Sequence, residues 1–135
     1  MPTLKETASK LNSMLELGWN NLTPIAIENI QYEEEEGVSY ISTQFIPYGT
    51  ENVNISASTQ KRKRTTGSLF IIIRTPIGKG IGEAYDYASI IQDIMDNKNP
   101  LSNLFTYVTK IARIGDDDNG WFNLTASVPF ISDEI

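Results

Sequence analysis

Neither cysteine nor histidine occurs among the 135 residues. Their absence removes disulfide frameworks, zinc fingers, iron–sulfur clusters, thiol nucleophiles and serine–histidine pairs from consideration. Most small enzymes draw on one of these, so the composition points away from catalysis, and no catalytic, cofactor-binding or metal-ligating residue is assigned. Long apolar runs are missing too. The longest is Leu69-Phe70-Ile71-Ile72-Ile73, against the roughly 20 residues of a membrane-spanning helix. Positive charge is scarce: 11 basic against 17 acidic residues give a net charge of −6. A chain so charged is expected to be soluble and not drawn as a whole to free nucleic acid. The first residues, Met1-Pro2-Thr3-Leu4-Lys5-Glu6-Thr7, lack an apolar h-region, so a cytoplasmic product is expected. The glycosylation-type triplets at Asn21, Asn54 and Asn123 are then coincidental.

What is present suits one domain over residues 1–135. Two separate cores would each be too thin, whereas one core at this length buries roughly two-thirds of the unfolded surface. Leu4, Ala8, Leu11 and Leu15 recur at helical spacing behind Thr3 and Glu6, a capping-box pair, and predict a helix over 3–17 stopped by Gly18. Residues 25–30 read as a short strand. Residues 38–48 and 53–57 alternate as strands, and 69–73 form the core of a central strand covered on both faces. A break at Pro76-Ile77-Gly78-Lys79-Gly80-Ile81-Gly82 precedes a second amphipathic helix over 83–96. Residues 107–114 and 120–131 flank Gly115-Asp116-Asp117-Asp118-Asn119 as a hairpin. The expected fold class is α+β, a mainly antiparallel sheet against two helices in the order α-β-β-β-β-α-β-β.

Two opposite charge runs stand out. Lys61-Arg62-Lys63-Arg64 holds four of the 11 basic residues and is either a solvated loop or a contact with an acidic partner. Lacking interleaved aromatics, it does not suit the reading of single strands. Glu33, Glu34, Glu35 and Glu36 form an acidic tip, with Asp116, Asp117 and Asp118 as a second one. Contiguous aspartates point apart and lack the terminal glutamate of a calcium loop, so solvated turns are the plain reading. In an oligomer, the glutamate tip of one subunit is expected to face the basic loop of the next. The glycine-rich break does not match a phosphate loop: the Gly-Lys-Ser/Thr pattern is absent, and its third glycine comes one residue early for a dinucleotide fingerprint. Glu28, Glu83, Asp86 and Asp93 supply carboxylates but no convincing acid–base pair. Trp19, Tyr48, Tyr85 and Trp121 lie off the apolar stripes and are either core filling or interface anchors.

Three segments together carry a resemblance. Thr23-Pro24-Ile25-Ala26-Ile27-Glu28-Asn29 opens the pattern, Arg74-Thr75-Pro76-Ile77-Gly78-Lys79-Gly80 leads into the second helix, and Gly120-Trp121-Phe122 through Val128-Pro129-Phe130 closes it. In this order and spacing the chain resembles the tail terminator family of long-tailed, non-contractile bacteriophages, the group of lambda's minor tail protein U. The likeness spans about residues 20–131; the glutamate tip and the Lys61-Arg62-Lys63-Arg64 run stand outside it.

The resemblance implies a virion structural protein without catalytic site or cofactor, made in the host cytoplasm and placed at the head-proximal end of the tail tube. It implies a ring, usually of six copies, that caps the tube, ends its polymerisation and offers the head-joining surface. The implied partners are the chain itself, the tube protein and a head-completion or connector protein. DNA would pass through the ring without specific recognition. A cyclic ring needs a heterologous interface, which the glutamate tip and the basic run would suit. The segment 49–66, read as a long polar loop between glycines, is the candidate tube- or neighbour-facing element. Alternatives are a head–tail connector ring and a nucleic-acid-binding module built on residues 61–64.

Overall fold

The structure is a computed structural model, and it describes residues 3–54, 61–78 and 80–134. Helix α1 (Leu4–Trp19) starts at Thr3, whose hydroxyl accepts the Glu6 amide N–H at 3.1 Å. Its buried stripe is Thr7, Leu11, Leu15 and Trp19. The helix runs past Gly18, because that glycine serves close packing rather than termination: a Cβ there would lie 2.7 Å from the Ile94 side chain. Asn20, left-handed at φ 51°, ends the helix instead.

All six strands pair into one sheet, built around long antiparallel ladders. Strand β2 (Tyr40–Asn54) pairs with β3 (Lys61–Pro76), and β3 pairs with β6 (Trp121–Glu134). Strand β1 (Ile25–Ala26) lies parallel to β2 at one edge. At the other edge β4 (Leu104–Thr106) and β5 (Lys110–Asp116) follow one another along β6. Helix α2 (Gly82–Met95) joins β3 to β4 and buries Ala84, Ala88, Ile91 and Met95. The α+β class with two helices and a mostly antiparallel sheet is therefore present.

Period-two alternation sets the core. Leu69, Ile71 and Ile73 of β3 are fully buried beside Ile41, Leu124, Ala126 and Val128, and α1 and α2 close this face with Leu11, Leu15 and Ile91. Phe70 and Ile72 point to the opposite face and are half-buried. Helices thus cover one face of the sheet, not both as expected, since both helices pack into the same cluster.

The other departures also have physical causes. The expected strand over 25–30 shortens to two residues, because Asn29 is left-handed at φ 63°. Val53 and Asn54 belong to β2 rather than to a separate strand; residues 55–57 of that expectation lie outside the described residues. The segment 49–66 is not simply a loop: 49–54 and 61–66 continue the β2–β3 ladder beyond a bulge at Pro47/Gly49, forming a hairpin arm. Gly67 makes the bend possible, since a Cβ there would sit 2.5 Å from the Ile46 carbonyl oxygen.

Candidate functional site

The arm has little apolar content and is held by its ladder and by polar contacts. Thr50 lies opposite Thr65 with their hydroxyls 2.9 Å apart, Glu51 opposite Arg64, and Asn52 opposite Lys63. On the other side β6 accompanies the arm, with Asp133 opposite Arg64 and Glu134 opposite Lys63. Arg64 donates from Nε and Nη2 to the two Asp133 carboxylate oxygens at 2.8 and 3.1 Å. That bond raises the guanidinium pKa further above its ordinary value. Arg64 thus braces the arm within its own chain. Lys63 is exposed, and the register sets Lys61 and Arg62 opposite Asn54 and Val53.

The two acidic turns lie at the other end of β3. Glu33, Glu34, Glu35 and Glu36 are exposed on a turn in which the Val38 N–H donates to the Glu35 carbonyl at 3.1 Å and Gly37 takes φ 78°. Beside it lies the β5–β6 turn, organised by Asp117. One oxygen of Asp117 accepts the Asn119 and Trp121 amides at 2.8 and 3.1 Å, and the other accepts Asn123 Nδ2 at 3.0 Å. The Asn123 bond, followed by the two amides, holds the Asp117 carboxyl below the usual range, and Arg74 adds a smaller attraction. Asp117 is therefore a turn organiser, while Asp116 and Asp118 are exposed.

Between the two turns opens a cleft of about 490 Å³ lined by Glu34, Glu36, Pro76, Ile77, Asn119 and Trp121, with Gly37 and Gly120. Aromatic contacts support it. Tyr40 meets Tyr32 at 4.8 Å and Trp121 at 5.3 Å between ring centroids, and Arg74 Nη1 donates to the Tyr40 hydroxyl at 2.7 Å. Trp19 and Trp121 are core residues at 2% and 6% exposure, whereas Tyr48 and Tyr85 are exposed. At about 3.3 Å rise per residue, the acidic and basic ends of β3 stand roughly 40 Å apart.

The remaining candidates have structural partners. Glu28 accepts the Phe45 amide at 2.6 Å at the sheet edge. Glu83 accepts the Ser39 and Tyr87 hydroxyls at 2.7 and 2.9 Å, and burial followed by that carboxylate pushes the Tyr87 phenol up to about 12. Among the described residues, no cluster of three or more acidic side chains is arranged to hold a metal ion. Among the same described residues, no helix is long and apolar enough to cross a membrane. Sequence reading missed Asp133 and the cleft floor; the Ser132-Asp133-Glu134 end was a visible acidic partner for the basic run, but only strand pairing brings them together.

A family model described as phage tail terminator protein matches residues 6–130. A solved structure aligns over 92% of this chain and 94% of its own at a TM-score of 0.63 with 14% sequence identity, a likeness of fold alone. No curated protein matches the sequence significantly.

Proposed function

The chain belongs to the phage tail terminator family, a structural and non-enzymatic family of the virion, and from that membership we propose that it forms a ring closing the head-proximal end of the tail tube. The family match over residues 6–130 is the observation that carries this reading. Bound at the tube end, the ring, of six copies, presents a far side that accepts no further tube subunit, so polymerisation stops. That far side receives the head-completion or connector protein, and DNA passes through without being read.

The proposed contact elements are the arm, with Lys61, Arg62 and Lys63, and the turn of Glu33, Glu34, Glu35 and Glu36. Their separation at opposite ends of β3 suits a heterologous interface, in which two different patches meet and the ring closes. Arg64, occupied by Asp133, stiffens the arm for this contact. The test is negative-stain imaging with light scattering of the protein alone and with its tube protein. Rings at one end of finished tubes support the terminator role. Rings that bind head complexes but never tubes replace it by a connector, and a monomer that retains DNA at low salt overturns both.

A further inference from the structure

We propose that the cleft between the 33–37 turn and the 117–121 turn is the seat for the hairpin arm of a second copy of this chain. The inference rests on the reading of the protein as a self-assembling ring and names the surface that joins its copies.

The floor and rim of the cleft differ in chemistry. Pro76, Ile77 and Trp121 give the floor an apolar character, with Ile77 left 47% exposed. Glu34 and Glu36 stand on one wall and Asn119 on the other, with Asp116 and Asp118 exposed on the adjoining turn. A lysine or arginine fits such a groove in both parts, its methylene stem on the apolar floor and its cation at the carboxylate rim. Arg74 and Arg113 lie near this end, but Arg74 donates to Tyr40 and Arg113 stacks over Phe122 at 5.2 Å. They offset only part of the field of the acidic turns.

Charge complementarity selects the occupant. In a chain of net charge −6, Lys61-Arg62-Lys63-Arg64 is the one concentrated basic segment; Asp133 takes Arg64 and Glu134 lies opposite Lys63, so the excess charge of the arm is carried by Lys61 and Arg62, and strand β3 holds it at the far end from the cleft. Intramolecular contact is therefore ruled out by the roughly 40 Å of strand between them. A second copy meets no such barrier. Arg64 and Asp133 brace the arm against β6, so less flexibility is lost on docking. DNA is disfavoured as occupant because the rim is anionic.

The test compares sedimentation of the wild-type chain with E34K/E36K, K61E/K63E and the four-site combination, at low and high salt. Each reversal pair should raise the protein concentration for half-assembly about tenfold or more, and the combination should restore assembly. Ile77→Ser, which changes no charge, should weaken assembly at both salt concentrations. Melting curves establish that each variant folds. Reversal variants that assemble like the wild type overturn the cleft as the seat while leaving the ring standing. E34K/E36K rings that form normally but no longer bind tubes assign the cleft to the tube protein and overturn the second-copy reading. A wild-type chain that stays monomeric at every concentration and with tubes present overturns this proposal and the proposed function together.

Discussion

The guanidinium of Arg64 forks onto the carboxylate of Asp133 across 69 residues of sequence, at 2.8 and 3.1 Å, and ties the hairpin arm to the end of β6. The guanidinium side is 37% exposed and the carboxylate 11%, so solvent screens the pair substantially. Arg64→Ala or Asp133→Ala should each cost about 1 kcal/mol or less of stability, measured by urea denaturation, and the double variant little more than either alone. Amide exchange should quicken at residues 63–66 while the central part of β3 stays protected.

Gly67→Ala should be far costlier than its one added methyl suggests. The new Cβ would lie 2.5 Å from the Ile46 carbonyl oxygen and 2.8 Å from Pro47 Cα, both backbone atoms that cannot rotate away. A loss of roughly 1–3 kcal/mol is expected from overpacking, with the arm displaced relative to the sheet. Gly18→Ala is the comparison: its obstacle is the Ile94 side chain, 2.7 Å away, which can change rotamer. Its smaller loss, partly offset by the better helix propensity of alanine, would show in paired thermal melts.

Residues with a strong period were legible in the sequence. The alternation of Leu69, Ile71 and Ile73, the turn residues around Asp117 and the stripe of Ala84, Ala88 and Ile91 each reflect burial on one face, and each element appears where that pattern lies. Of the arm, only Val53 and Asn54 were legible as strand, from the alternation over 53–57; the rest stands beyond the core, and Thr50, Thr65 and Thr66 give it no apolar alternation. Strand β4 has three residues and β1 two, too few for any period to show. The charge runs were visible, but their placement was not. Only 24 residues lie between Glu36 and Lys61; the chain passes through the 35–38 turn and β2 then carries it the whole length of the sheet, so nearness in sequence becomes distance in space.

Acid should loosen the β5–β6 turn. The Asp117 carboxyl has a folded pKa below its ordinary 3.8, held down first by Asn123. The folded state therefore binds this proton less readily than the unfolded chain, and the stabilisation is present above the unfolded value and lost as pH falls through the folded one. Asp117→Asn should flatten that limb of the stability curve, measured by melts across the acid range.

At high pH the sign reverses for Tyr87. Burial, then the hydrogen bond to Glu83, raises its folded pKa from 10.0 to about 12. Between those values the unfolded chain releases the phenolic proton while the folded chain keeps it, so stability falls as pH rises through that window. Tyr87→Phe removes this alkaline loss, and ultraviolet titration of tyrosinate should show one fewer late-titrating phenol.

The open edge of β2 makes the sharpest test of a single side chain. β1 covers the strand at Ile41 and Ser42, with the Ile41 amide donating to the Pro24 carbonyl at 3.1 Å. Further along, no strand among the described residues lies beside the edge amide of Phe45, which donates to the Glu28 carboxylate at 2.6 Å; Pro47, two residues on, has no amide N–H to offer. Glu28 therefore blocks a position where another chain's strand would otherwise pair, by filling the donor and by placing a charge there. Glu28→Ala should lower stability by about 1 kcal/mol, less than a buried hydrogen bond to a charged group because solvent screens this exposed site, and should raise light scattering on prolonged incubation. Glu28→Gln keeps the acceptor and loses the charge. If it aggregates as the alanine variant does, charge is the protecting element; if it stays clear, occupation of the Phe45 amide is sufficient.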